Sequence, residues 1–320
     1  MSETEGVSYR DRRRILVTIG GLLLLTGLTA AILGPLEMYC FTLFSEGGRF
    51  HYDGFGFGSF MFGNIACQIA GYYLIALVLV PLGYGHLRLR RWIRPLSLAL
   101  LWSWAVLGIP LSLAFLFAWF SAKEPSVATA AVIAGAVAVA YPLIPALFIR
   151  FYRGRDVRLT LESRDPRKGW LERIPVPSLV VAVLFAFYVV ALHALILFNG
   201  VFGVWGTWVT GLPGIVLIDV TSLFLIVTAW GTLAGRRWAW WSSLVIFGAL
   251  SVSWVVTLAA GTWSDVLAAT DFPPFEREIL ERIPLRGLQL AILVAIPLAL
   301  TLVAILRARD PVPGPPAAQS

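Results

Sequence analysis

Asp219 is the one acidic side chain of 18 that falls inside a long apolar run, GIVLIDVTSLFLIV. A carboxylate placed there invites chemistry, because an ionised group in hydrocarbon is costly and is retained where it has a role. The run begins at Gly214, so Asp219 stands about 8 Å along a helix from its start. His193 precedes Phe198, the end of the previous apolar run, by the same number of residues. Consecutive antiparallel helices would set the two at matching depth, with Ser222 on the Asp219 face at i+3. An aspartate favours the charged form of a neighbouring histidine, so the trio has the makings of a proton-titrating or cation-binding site. The plainer alternative is a polar clasp between helices with the acid protonated. Asn64, Cys67, Gln68 and Gly71 share one face of an earlier apolar run at similar depth. Glu37 lies at the mouth of the first, which extends the set to an outward-facing polar cluster.

Other combinations carry less. Gly54, Gly56 and Gly58 have phosphate-loop spacing but no strand before them, so a flexible turn is expected. His51, His86 and His193 fall at three different depths, which does not suit a bis-histidine haem. Cys40, His51 and Cys67 lack structural zinc spacing. No Walker motif, zinc-protease helix or nucleophile elbow occurs. The residues therefore nominate no metal site, no cofactor and no catalytic group.

The elements that must position the cluster follow from composition. Mean hydropathy is +0.81, with 58% apolar and 13% charged residues, too little polar surface for water and suited to a bilayer. Eight continuously apolar stretches reach the ~20 residues a spanning helix needs: Ile15 to Leu36, Phe60 to Tyr84, Leu96 to Phe120, Val127 to Ile149, Ser178 to Phe198, Gly214 to Ala234, Ala239 to Gly261 and Gly287 to Leu306. The expected class is all-α, a polytopic transmembrane bundle.

Loop charge sets the orientation. With the N-terminus inside, 20 of the 25 Lys and Arg residues fall in cytoplasmic segments. Both termini are thus expected in the cytoplasm of a plasma-membrane protein, and the net charge of +7 needs no nucleic acid to explain it. The first apolar run exceeds a signal-peptide core and reads as an uncleaved span. Arginine over lysine, 23 to 2, points to a bacterial GC-rich genome.

A shift of 146 residues aligns Tyr84, Gly85, Leu87, Arg90, Arg91 and Trp92 with Trp230, Gly231, Leu233, Arg236, Arg237 and Trp238. Helical apolarity alone does not generate that run, so two tandem parallel four-helix repeats are expected. The chain divides into a four-span half, 1–149, a basic cytoplasmic linker, 150–177, a second half, 178–310, and a disordered tail, 311–320. Asp219 aligns with Tyr73, so the acid is not duplicated.

Within the linker, Val157, Leu159 and Leu161 alternate with polar residues and predict a short strand. Phe41 to Ser45 and Arg49 to Tyr52 flank Glu46, Gly47 and Gly48 and predict an outer hairpin. Pro273 onward predicts an interfacial helix. Ala130, Ala134 and Ala138 predict close packing of span four, and Pro110, Pro142, Pro145 and Pro297 predict kinks.

The readings that fit are a small-solute or ion transporter, a non-catalytic accessory subunit of a membrane complex and, more distantly, an intramembrane enzyme built on Asp219 and His193. Besides the lipid bilayer, a protein partner would meet the outer loops 37–59 and 262–286 or the linker.

Overall fold

The computed structural model describes residues 9–51, 56–122, 126–283 and 285–309. Gly54, the end of the predicted outer hairpin at Tyr52 and the 311–320 tail lie outside them. Among the described residues, eight helical segments are long and apolar enough to cross a membrane, as expected of an integral membrane protein.

The first is α1, Arg13–Phe44. It packs lengthwise on α2, Phe60–Leu87, through glycines seven residues apart. A Cβ on Gly20 would stand 2.6 Å from His86 Cβ, and one on Gly27 2.8 Å from Val80, while Gly34 faces the Tyr73 ring. Bare backbone there lets two helices meet where lipid offers no hydrophobic drive. The third span is α3, Ile93–Ala122. The fourth joins α4, Val127–Ala138, to α5, Ile144–Arg153, through a π-helical turn at Val139–Leu143 that absorbs Pro142. Close packing of span four on its small residues is not realised at Gly135, whose Cβ position is open. That packing belongs to the glycines of α1.

The linker is a helix, α6, Arg155–Arg164, where a strand was expected. Val157, Thr160 and Leu161 are its buried residues, a helical spacing, and Asp156 suits its first turn. Contacts from the chain start decide the outcome: Arg12 pairs with Asp156 at 3.1 Å, and its N–H donates to Thr160.

Span five is α7, Val176–Ala194, continued by a 3-10 turn to Phe198. A small hairpin follows, β1 (Phe202–Val204) against β2 (Thr207–Val209), antiparallel with Val204 opposite Thr207. Its turn residues, Trp205 and Gly206, both have positive φ, the type I′ requirement. The described part of the expected hairpin, 41–51, is instead the end of α1 and a turn, where Phe50 N–H donates to the Leu43 carbonyl and Phe44 stacks on Phe50. The β-turn formed where Ser253 and Thr257 could hold it, by accepting from the Trp205 and Gly206 N–H groups.

Then come α8, Gly211–Leu233, and span seven, α9 (Arg237–Ser242) and α10 (Gly248–Ala260), joined by a second π-helical turn. Besides α6, two further helices lie outside the spans, α11 (Trp263–Thr270) and α12 (Pro274–Glu281), the second as expected. The Thr262 N–H and hydroxyl donate to the Asp265 carboxylate and hold it below its usual range, while the hydroxyl oxygen accepts the Asp265 N–H and caps α11. The Glu276 carboxylate accepts from the N–H groups of Phe60 and Met61, closing the start of α2. The last span is α13, Gly287–Arg307.

The core lies where α3, α7 and α13 converge. Ala99, Leu179, Val180 and Leu184 form one cluster, and Val181, Phe185, Leu225, Phe247 and Ile305 the next. A third, at the arginine-rich end, surrounds a buried polar link in which His86 Nε2 and the Tyr152 hydroxyl are 2.6 Å apart.

The turns that end α2 and α8 share one geometry. Leu89 and Gly235 hold the left-handed position, φ 51° and 68°. In each, the next N–H bonds back to a glycine carbonyl, Arg90 to Gly85 and Arg236 to Gly231, both at 2.9 Å. This is the Schellman closure. In each the glycine lies under a tryptophan, Trp92 or Trp238.

Candidate functional site

Asp219 lies on α8 eight residues beyond Gly211, about 12 Å from the helix start. His193 occupies the last turn of α7, where the helix dipole favours a cation. Its Nδ1 lies 2.7 Å from the Val189 carbonyl, which can only accept, so Nδ1 carries the hydrogen. That leaves Nε2 facing Asp219 Oδ1 at 3.6 Å. Ser222 completes the group, its hydroxyl 3.4 Å from Nδ1.

The separation exceeds a good hydrogen bond, so the contact is a loose electrostatic one. With Nδ1–H fixed, a proton between the two groups resides on Nε2 or on the carboxyl.

Neither side chain is packed into the bundle interior. His193 and Asp219 are 46% and 60% exposed. The cause is helical phase. Gly214, Ile218, Ser222 and Leu225 form the buried stripe of α8, and Asp219, one residue past Ile218, is turned about 100° from it. Its neighbours Val216, Val220 and Leu223 are exposed as well. The ionisable pair thus sits on an otherwise apolar perimeter face. A 260 Å³ apolar cavity between α7, α8, α10 and α13 is lined by Thr221, but neither Asp219 nor His193 lines it.

The wider polar cluster is not assembled. Asn64 and Gln68 are exposed one turn apart on α2, and Glu37 is half-buried on α1. Phe198 against Gly63 brings the start of α2 beside the end of span five. Among the described residues, no hydrogen bond or ion pair joins Glu37, Asn64 or Gln68 to the pair. Cys40 and Cys67 are free thiols.

Two features escaped the sequence reading. The His86 to Tyr152 link joins spans two and four, and distance along the chain hid it. Arg94, Arg153 and Arg307 converge on one cleft, although their positions suggested only loop charge. Comparison with family models, characterised proteins and solved structures finds no match for the chain.

Proposed function

We propose that the chain is a non-enzymatic membrane protein that works as a subunit of a membrane complex, using the Asp219 and His193 face to engage a polar or cationic group on a neighbouring helix. The observation that carries this reading is the half-exposed pair, 3.6 Å apart, on an apolar perimeter. Leaving it against acyl chains costs up to about 3 kcal/mol per ionised group. A neighbouring helix that supplies polar partners removes that cost. A photo-cross-linker at Val220, exposed beside the acid, should capture a protein in native membranes. Asp219→Leu should reduce capture about tenfold, since a hydrogen bond to a charged group is worth about 1.5 kcal/mol or more. Capture of lipid alone would sink the interface reading.

A second reading, small-solute or ion transport, is favoured by one detail, the fixed Nδ1–H that lets a proton pass between Nε2 and the carboxyl. Proton uptake into vesicles reconstituted with the purified protein, abolished by Asp219→Asn, would select transport.

The architecture belongs to the same proposal. Two tandem parallel four-span halves, with both termini on the cytoplasmic side of a plasma membrane, agree with the paired Schellman turns 146 residues apart. Cysteines introduced at Ser126 and Ser163, both exposed, should label with an impermeant maleimide from opposite sides. Labelling from one side would remove the eight-span topology.

A further inference from the structure

Between α3, α7 and α13, at the arginine-rich end, lies a cleft of about 520 Å³. Its lower wall is apolar, formed by Leu98, Trp102, Val180, Leu300 and Val303, and its mouth is ringed by Arg94, Arg153 and Arg307. These arginines come from three helix ends: the first turn of α3 and the last residues of α5 and α13.

The arginines have no carboxylate within ion-pair distance among the described residues. Arg91, one turn before Arg94, shows the contrast, being held by Glu172 at 2.8 Å and Glu162 at 3.4 Å. Arg94 donates Nε–H to the Tyr152 carbonyl at 2.9 Å, which fixes the guanidinium where it lines the cleft, with Glu162 and Glu172 beyond ion-pair distance on its other side. A cation in the first turn of a helix opposes the helix dipole, so an anion at that point relieves an unfavourable term.

We propose that this cleft binds one anionic phospholipid, its phosphate held by Arg94, Arg153 and Arg307 and an acyl chain laid along Leu98, Val180 and Leu300. A soluble anion would use the arginines and leave the apolar wall empty. A phospholipid matches both ends of the cleft. Basic pockets between spans are the usual seats of such headgroups.

Native mass spectrometry of the full chain in detergent tests this, with phosphatidylglycerol or phosphatidylcholine added at equal concentration. Phosphatidylglycerol should be retained as a single tight adduct in clear excess over phosphatidylcholine. The double variant Arg153→Gln and Arg307→Gln, changed at exposed side chains, should weaken that adduct about 30-fold, since each basic side chain near a lipid surface contributes about a factor of five. Leu300→Trp, which fills the apolar wall and keeps all three arginines, should also displace it. Inorganic phosphate at millimolar concentration should not compete. Equal retention of both lipids, or an unchanged adduct in the arginine variant, overturns the proposal. So does loss in the arginine variant with full retention in Leu300→Trp, which would reduce the effect to surface charge. Competition by phosphate as effective as that of the lipid would assign the arginines to a soluble anion and overturn it as well.

Discussion

Replacing Gly287 by alanine should destabilise the protein by about 3 kcal/mol, the upper range for forcing an atom into a packed site. The added methyl carbon would lie 1.9 Å from the Gly261 carbonyl oxygen and 2.5 Å from that of Leu258. Both are backbone atoms at the end of α10, so no rotamer change relieves the clash and the start of α13 must move. Gly214 stands in the same relation to the Gly200 carbonyl. Gly248 supplies the control, because its Cβ position meets only Leu302, at 3.9 Å. Gly248→Ala should therefore stabilise by about 0.5 kcal/mol or more, by restricting the unfolded chain. Denaturation in mixed micelles, followed by circular dichroism, measures both. Equal stability of the two variants would refute the account.

The second large effect is expected at Arg91. Its guanidinium holds Glu172 and Glu162 and donates to the Pro166 carbonyl, and the Arg91 and Glu172 side chains are only 11% and 13% exposed. Arg91→Ala leaves Glu172 without its closest partner and should cost about 3 kcal/mol. It should also open the segment after α6 to protease. The 146-residue shift sets Arg237 at the matching position, where the side chain is exposed. Arg237→Ala should stay within about 0.5 kcal/mol of the parent. A comparable loss in both would show that the turn, not the linker, depends on the arginine.

What the sequence made legible was set by periodicity and charge. Runs long enough to span are visible without tertiary knowledge, and α12 announced itself through Pro273 and the alternation that follows. The Asp219 and His193 approach was legible from depth alone, since a short connection constrains both ends. Their exposure was not, because it depends on which stripe of α8 packs, and the apolar residues on every side of Asp219 give no phase. α6 was read as a strand because alternation over five residues resembles both periods, and Arg12, 144 residues away, decided between them. The Trp205 and Gly206 turn carries no Asn-Gly signature and is held by hydroxyls from a helix more than forty residues later. The arginine cleft needed three spans to be set side by side.

The Glu276 carboxylate that closes the start of α2 lies 216 residues further along the chain. At about 5 to 20 residues per second, a ribosome takes roughly 10 to 40 s to make that stretch. Throughout that interval the free N–H groups of Phe60 and Met61 must be served by water or headgroups. The first helical pair is therefore finished last at that end. A nascent chain halted before residue 276 should leave the start of α2 fraying and open to hydrogen exchange, while the Gly20 and Gly27 seam, complete once α2 exists, stays protected.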